Sequence, residues 1–421
     1  MTFTLHVDGE RWRANAAGVR DGVRRAISAG THQHTDGDLV PVAKGNGYGL
    51  GNETLAREAA ALGLTRLAVG TVFEAAELVG RYDGDLLVLS PFEPADRVAA
   101  PVWHALASGP HGDRVIRTIS SREAWDSVVG GPGPARVVLE GLTSMGRFGL
   151  ASDDLALLLA DPATVSALVE NRVHLHGLAL HLPLTQPSTD HRAVPGARWK
   201  DAVVAPAPPS GASARVEEAL TWGLGWQARL ADLSEQLTGL GAEHAVTALT
   251  DGVALWVSHL DDTELASLRG ALPDIALYAR IGTRLWLGDR GSLQARGTVL
   301  AVHLVGRGQA SGYRQRRAAR ASAVVVVGGG TAHGVGLEAP SPAGSMRQRA
   351  VAAGTGVLEA GGRALSPFHL AGRQRWFAEP PHMQVSLIRV PEATPLPAVG
   401  TELDCDIRLT TAAFDAVRGL D

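Results

Sequence analysis

Short runs of apolar and β-branched residues alternate with amphipathic stretches from residue 39 to residue 287. Such runs predict buried strands, and the longer segments with apolar residues on one face predict helices. Asn52–Leu64 and Val72–Val79 are segments of the helical kind. The predicted strands are Leu39–Lys44, Arg66–Thr71, Asp85–Pro91, Arg114–Ser121, Ala135–Gly141, His174–Pro183, His244–Thr250 and Tyr278–Trp286.

Strands that alternate with helices predict a parallel sheet. Eight such units over about 250 residues are what a (β/α)8 barrel needs, and a doubly wound open sheet is the structural alternative. After about Gly291 the pattern changes to strands separated by Gly and Pro. The predicted strands of this second region are Thr298–Val305, Ala321–Val327, Val385–Val390 and Leu403–Leu409.

The patterning therefore predicts an α/β fold, with a (β/α)8 barrel over residues 10–290 and a C-terminal all-β domain over 291–421. Thr2–Val7 alternates like a strand, so the segment 1–9 can join the β-domain. Residues 183–216 interrupt the barrel repeat and are rich in Ala, Pro and Gly around Ala205–Gly211. They predict a surface loop inserted after the sixth strand.

Composition narrows the class of protein. The chain has 421 residues, of which 45% are hydrophobic and 19% charged, as in a core-forming globular protein. Its net charge of −4 gives no electrostatic footprint for nucleic acid. The single cysteine, Cys405, excludes an internal disulfide framework, and His174 and His176 lack a convincing third ligand, so no metal is expected. Without an apolar run of about 18 residues or a signal-peptide layout, we expect a cytoplasmic protein and no membrane partner.

Four polar residues stand near the ends of predicted barrel strands: Lys44, Glu140, His181 and Arg280. Each has an ordinary explanation by itself, such as a solvated lysine or a histidine that satisfies a neighbouring backbone group. Active sites of these barrels lie at the C-terminal ends of the strands. Four such residues at one barrel mouth therefore predict a site.

The segment Pro41–Gly51, PVAKGNGYGLG, resembles the KANAYGHG signature of the alanine racemase family, the fold type III pyridoxal-phosphate enzymes. Further segments resemble the family's motifs in the same order. These are Leu67–Leu78, Thr143–Gly149, Leu178–His181 and Ala279–Trp286. The resemblance implies an alanine racemase-like barrel with a β-domain, pyridoxal 5′-phosphate as cofactor, and an amino-acid racemase or epimerase activity.

The same resemblance implies a role for each matching residue. Lys44 would form the Schiff base with the cofactor and then act as a base on one face of the substrate α-carbon. Tyr48 would donate to the phosphate, and His181 would line the cofactor ring. Arg280 would face the pyridine nitrogen; as a permanent cation it cannot accept a proton, so the ring stays unprotonated and is a weaker electron sink. Arg147 would hold a substrate carboxylate or the cofactor phenolate.

The phosphate needs further donors from the loops after the seventh and eighth strands. Candidates are Ser258, Gly282, Thr283 and the segment Thr250–Gly252. Glu140 stands where many family members have a carbamylated lysine. A glutamate supplies a negative charge without carbon dioxide, so we expect Glu140 to brace the guanidinium of Arg147.

A two-base racemase needs a second acid/base on the opposite face of the α-carbon. The resemblance assigns this role to a tyrosine in an IGYADGY stretch of the partner subunit, where this chain has Thr331, whose hydroxyl is a poor base. His333 is the predicted replacement, because imidazole titrates near pH 6.5, although a turn histidine is the plainer interpretation. Tyr313 resembles a separate VSYG stretch. Met383 resembles the MDQ segment that contacts the substrate, with Gln384 in place of the aspartate.

The resemblance also implies a homodimer in which each chain completes the other's site. Three functions stay open: racemisation or epimerisation of an amino acid, another reaction on the same cofactor such as decarboxylation or one-sided proton transfer, and non-catalytic cofactor binding. The sequence does not name the amino acid.

Overall fold

The structure, a computed structural model, describes residues 2–28, 37–131, 133–184, 212–313, 315–337 and 364–420. The chain folds as two compact units. The barrel unit consists of Ala16–Lys44 and Asn52–Leu285, and the β unit consists of Met1–Asn15, Gly45–Gly51 and Trp286–Asp421. The chain therefore passes between the units more often than the predicted division at residue 290 implies, and the segment after Lys44 belongs to the β unit.

The barrel unit is a closed parallel barrel of eight strands, which confirms the predicted fold class. Its strands are β2 (Leu39–Ala43), β3 (Arg66–Val69), β4 (Asp85–Val88), β5 (Val115–Ile119), β6 (Ala135–Gly141), β7 (Val173–Leu180), β8 (Ala254–Ser258) and β9 (Ala276–Ile281). Alternate side chains point inward and fill the interior, because successive residues of a strand face opposite sides. This inner core contains Val40, Val42, Ala68, Leu87, Ile116, Val138, Ala179, Ala254 and Trp256.

Helices connect the barrel strands. They are α2 (Asn52–Ala61), α3 (Val72–Leu78), α4 (Ala100–Ser108), α5 (Arg122–Val129), α6 (Ser152–Leu159), α7 (Pro162–Val169), α8 (Ala214–Gly239), α9 (Glu243–Ala248), α10 (Asp262–Ala271) and the short α11 (Thr283–Trp286). Two of them begin at capping boxes, α3 with Thr71 and Glu74, and α10 with Asp261 and Glu264. Such boxes satisfy the unpaired N–H groups of the first turn and so determine where a helix starts.

The predicted seventh strand, His244–Thr250, is wrong. Glu243–Ala248 is a helix, and the strand is Ala254–Ser258, in which all five residues are buried. A short apolar run does not distinguish a buried strand from a helical segment by periodicity alone. Tertiary burial decides here, since Ala254–Ser258 pairs with both β7 and β9.

A polar cluster lies at the N-terminal end of the barrel interior. Arg136 donates to both carboxylate oxygens of Asp85, at 2.5 and 2.9 Å, and its Nε donates to Nε2 of His176 at 2.9 Å. Burial lowers the pKa of His176 to about 3, so its imidazole is neutral and able to accept that bond. In the barrel interior, Trp256 packs on Tyr278 with ring centroids 4.4 Å apart. Arg136, Asp85 and His176 thus satisfy one another at this end of the barrel, where residues typically contribute to stability.

The β unit contains an eight-stranded sheet in the order β13-β16-β15-β14-β17-β10-β1-β18. Its strands are β1 (Phe3–Val7), β10 (Leu293–Val305), β13 (Ser322–Gly328), β14 (Leu365–Leu370), β15 (Arg373–Phe377), β16 (Val385–Pro391), β17 (Glu402–Cys405) and β18 (Ala416–Arg418), with a separate hairpin of β11 (Ala310–Ser311) and β12 (Arg316–Arg317). β1 pairs antiparallel with β10 and parallel with β18, so the first strand of the chain belongs to this sheet. Helix α1 (Gly9–Ser28) follows it, and the unit boundary falls within this helix.

Most of the insertion predicted over 183–216 lies outside the described residues; its last part contains Ser213, which caps α8. Among the helices that the structure describes, none is both long enough and apolar enough to span a membrane.

Candidate active site

The C-terminal ends of the barrel strands bring together side chains that are far apart in the sequence. Lys44 follows β2, His181 follows β7, and Ser258 ends β8. Glu140 and Arg280 are the next-to-last residues of β6 and β9, on the inward-facing positions of those strands. The barrel mouth therefore holds the cluster that the strand pattern predicted.

Lys44 is accessible to solvent, yet the protein around it lowers its pKa. Partial withdrawal from water is the largest cause, followed by repulsion from the positive charges of Arg147 and Arg280, while Glu74 acts in the opposite direction. All of these causes except Glu74 favour the neutral amine. That form is the nucleophile and the proton acceptor, so this environment suits covalent or acid–base chemistry.

Gly70, which follows β3, lies directly against Lys44. Its backbone N–H donates to Oε2 of Glu74 at 2.6 Å, and that carboxylate also accepts the N–H of Thr71 at 3.1 Å. A methyl group at Gly70 would lie 3.0 Å from Cβ of Lys44 and 2.7 Å from Oε2 of Glu74. Glycine is required here because two fixed groups occupy the space of a side chain.

We therefore expect Gly70→Ala to destabilise the barrel unit by about 1–2 kcal/mol, because overpacking moves side chains away from their preferred positions. Gly80→Ala is the matched control, since a Cβ there would meet nothing within 4 Å. Urea denaturation of both variants measures the difference. Equal stability of the two variants would show that Lys44 and Glu74 yield without cost.

Glu140 and Arg280 are charged residues inside the barrel, 2% and 6% exposed. Burial raises the pKa of Glu140, and the positive charges of Arg280 and then Arg147 oppose that shift. Burial lowers the pKa of Arg280 to about 10, so it remains a cation at neutral pH, with the charge of Glu140 helping to keep it so. One Nη of Arg280 donates to the carbonyl of Leu180 at 2.8 Å. Glu140 Oε2 and Arg280 Nε are both buried without a hydrogen-bond partner among the described residues.

Arg147 is exposed, and its guanidinium lies 5.0 Å from the ring centroid of Phe148. Among the contacts of the described residues there is no hydrogen bond or ion pair between Arg147 and Glu140. The expected brace is thus not formed as a contact in this structure. Arg280, the buried cation, has the larger electrostatic effect on Glu140.

Two imidazoles meet at the mouth. The rings of His181 and His259 are edge to face, with centroids 5.1 Å apart. Burial, followed by the charge of Arg280, lowers the pKa of His181 to about 3 and that of His259 to about 4. Both rings are therefore neutral at neutral pH. His259 also has a left-handed backbone, with φ at 63°, a conformation that non-glycine residues adopt at a cost and often at functional sites.

The candidate phosphate ligands lie on different elements. The hydroxyl of Ser258 accepts the N–H of Leu182 at 3.3 Å and donates to the carbonyl of Leu180 at 3.5 Å, so it already joins the ends of β7 and β8. Gly282 follows β9, and Thr283 is exposed at the start of α11. Tyr48 is buried in the β unit, in a loop where its backbone is left-handed.

His333 is almost entirely buried in this structure. It is 6% exposed, its Nδ1 accepts the N–H of Gly330 at 3.2 Å, and its Nε2 bonds to Asp415 at 3.3 Å. The ring also packs against Phe3, with centroids 5.4 Å apart. Both nitrogens are thus engaged within the β unit. Thr331 is half-buried, and its backbone N–H donates to the carbonyl of His382 at 2.8 Å.

Tyr313, unlike His333, is exposed to solvent. It is 84% exposed, whereas Tyr48 and Tyr82 are buried and Tyr278 packs inside the barrel. Its ring lies 4.4 Å from that of His382, and the neighbouring Met383, the predicted substrate contact, is exposed as well. The accessible phenol of the β unit is thus the one that resembles the VSYG stretch.

The sequence reasoning missed several residues of these clusters. His259 follows Ser258 directly, and assigning the seventh strand to His244–Thr250 concealed that it ends a barrel strand. Glu379 and His382 are brought to Tyr313 by the fold, and no local pattern marks them.

The structure is thus an α/β-barrel protein with a mostly antiparallel β unit. The barrel mouth holds an amine, two neutral imidazoles and a buried guanidinium. Comparison with known proteins shows which proteins the chain is similar to. The family model for the alanine racemase N-terminal domain matches residues 24–205. The alanine racemase of Geobacillus stearothermophilus is 30% identical over 164 residues, which are 38% of this chain and 37% of that protein, so the match spans little more than a third of the relative.

Solved structures share the fold over nearly the whole chain. Alanine racemase from Bartonella henselae with covalently bound pyridoxal phosphate has a TM-score of 0.55 at 15% identity, covering 96% of this chain and 90% of that one. Alanine racemase from E. faecalis has 0.56 at 17%, covering 96% and 88%. Histidine racemase from Leuconostoc mesenteroides has 0.54 at 16%, covering 96% and 87%. The family model thus matches the N-terminal part of the chain, and these structures show that the chain shares the fold of alanine racemases.

Proposed function

We propose that this protein is a pyridoxal 5′-phosphate-dependent racemase or epimerase of an amino acid. The observation that carries the proposal is the pairing, at one barrel mouth, of an amine with a lowered pKa and a buried guanidinium with a spare donor. The match to the alanine racemase N-terminal domain supports it, as does the pyridoxal phosphate bound covalently to the Bartonella henselae alanine racemase, which has the same fold. When bound, the cofactor supplies an electron sink that stabilises negative charge at the substrate α-carbon.

The residues present fit that cofactor. Arg280 Nε is a buried N–H donor without an acceptor among the described residues, and a pyridine nitrogen is an acceptor. Because the guanidinium stays protonated, it donates to that nitrogen without transferring a proton. The bond from Arg280 to Leu180 holds the guanidinium in place. The neutral His181 beside it adds no charge to the ring environment.

Lys44 would tether the cofactor aldehyde and, when released, hold or return the α-proton on one face. Its lowered pKa keeps a larger share of the amine neutral, which both tasks need. Arg147, a freely exposed cation near Lys44, would bind the substrate carboxylate.

We assign the second proton transfer to Tyr313. A phenol titrates near pH 10, several units below an aliphatic hydroxyl, so Tyr313 is a better acid/base than Thr331. Its exposure supports this assignment, just as the engagement of both His333 nitrogens opposes the earlier one. A homodimer in which Tyr313 and Met383 complete the site of a second copy is part of the proposal.

The proposal is tested by incubating the protein, loaded with pyridoxal phosphate, with a panel of L- and D-amino acids in deuterated water. We expect deuterium at the α-carbon and, from each enantiomer of the true substrate, formation of the other enantiomer. NMR and chiral chromatography measure the two results. An amine product would instead identify a decarboxylase. Bound cofactor with no α-proton exchange from any amino acid would identify a non-catalytic homologue.

A further inference from the structure

Tyr313 is in contact with two residues, His382 and Glu379, to which the proposed function assigns no role. The Tyr313 and His382 rings pack against each other at 4.4 Å between centroids, with 35° between their planes. Nε2 of His382 bonds to Oε1 of Glu379 at 2.7 Å. Glu379 is 5% exposed, so a buried carboxylate fixes the imidazole on which the exposed tyrosine rests.

The same carboxylate also holds the backbone of Tyr313, whose N–H donates to Glu379 Oε1 at 3.2 Å. At the preceding Gly312, with φ at 76°, a Cβ would lie 2.4 Å from Glu379 Oε2. Only a glycine lets the hairpin approach this closely. Glu379 therefore contacts both the backbone of Tyr313 and the imidazole ring of His382.

The backbone of His382 is also held by hydrogen bonds. The N–H of His382 donates to Val385 at 2.9 Å, and its carbonyl accepts the N–H of Thr331 at 2.8 Å. His382 thus has little freedom in either its ring or its main chain. An exposed tyrosine would otherwise sample several rotamers, and ordering it during a reaction has an entropic cost.

We propose that His382 and Glu379 are positioning residues, which hold the Tyr313 ring so that its hydroxyl reaches one face of the substrate α-carbon. This inference rests on the proposed function, in which Tyr313 transfers a proton on one face and Lys44 on the other. Orientation of a reacting group is worth a large part of a rate enhancement, because a misplaced group loses productive encounters. We therefore expect a substitution at His382 to slow only the proton transfer that Tyr313 performs.

The test compares α-proton exchange from the two enantiomers of the substrate. We expect His382→Ala to slow exchange from one enantiomer by about 10- to 100-fold. It should be the same enantiomer whose exchange is lost in Tyr313→Phe, while exchange from the other stays within about twofold of wild type, because Lys44 is untouched. Glu379→Gln keeps an acceptor for the Tyr313 N–H and should lower the same exchange less.

The β unit offers a matched control in His369, whose Nε2 bonds to Asp406 at 2.7 Å and which does not pack on Tyr313. His369→Ala should change neither enantiomer. His382→Phe keeps an aromatic surface but loses the bond to Glu379, and it provides a second variant if the alanine protein is unstable. Thermal denaturation checks that each variant is folded.

A second readout does not depend on turnover. With fluorotyrosine in all four tyrosine positions, the ¹⁹F resonance of Tyr313 is identified by its absence in Tyr313→Phe. We expect this resonance to shift and narrow in His382→Ala, as the ring gains freedom, and to stay unchanged in His369→Ala. An unchanged Tyr313 signal, or equal loss of exchange from both enantiomers, would overturn the inference. Absence of exchange in the wild type with an NMR shift still present would instead overturn the proposed function.

Discussion

Replacing Lys44 by alanine is expected to abolish covalent attachment of pyridoxal phosphate and to lower α-proton exchange by about 10,000-fold or more. The reason is that one amine, whose pKa is lowered by its surroundings, would serve both as the attachment point and as a base. Borohydride reduction of the loaded wild-type protein, followed by proteolysis and mass spectrometry, should find the cofactor on the peptide that contains residue 44.

The sequence provides a matched control for this experiment, because it contains two lysines, Lys44 and Lys200. Lys200 lies outside the described residues. Lys200→Ala should keep both the reduced cofactor and the exchange activity. Cofactor fixed to Lys200, or to neither lysine, would remove the basis of the proposed function.

Removing the charge of Arg280 should have the largest effect on stability. Arg280→Met leaves Glu140 as a buried carboxylate without the cation that most favours its charged form, and leaving a buried charge uncompensated typically costs on the order of 3 kcal/mol. The pKa of Glu140, already raised by burial, should rise further, since Arg280 is the strongest of the charges that oppose the shift. Urea denaturation at pH 7 measures the loss.

The double variant Glu140→Gln with Arg280→Met separates charge from packing. If the loss arises from an isolated negative charge, neutralising Glu140 should recover much of the stability, and the two substitutions should be strongly non-additive. Additive effects would mean that the two residues act independently and that Arg280 contributes through packing and its bond to Leu180.

The barrel was predictable from the sequence because its strands are buried on both faces. Each strand therefore appears as a short continuous run of apolar residues. Where that signal was ambiguous, at His244–Thr250, the assignment was wrong, and the true strand Ala254–Ser258 was found only through its pairing with β7 and β9. The same error concealed His259. Position at the end of a strand is informative only when the strand itself is correctly placed.

For the mouth residues, the sequence was sufficient to propose Lys44, Glu140, His181 and Arg280, and they do lie at one end of the barrel. Which charges interact was not predictable. Glu140 was expected to brace Arg147, but Arg147 lies over Phe148 and the stronger influence on Glu140 comes from Arg280. Side-chain direction across a barrel depends on the stagger of strands, which no local pattern encodes.

The sequence by itself determined the fold class and marked the lysine on which the proposed chemistry depends, because both follow from local patterns. Only the tertiary structure showed that Tyr313 is exposed while His333 is buried. His333 is engaged by Asp415, 82 residues away, and Tyr313 is held by Glu379, 66 residues away. Accessibility arises from contacts between distant parts of the chain, and a histidine and a tyrosine look equally available until those contacts form.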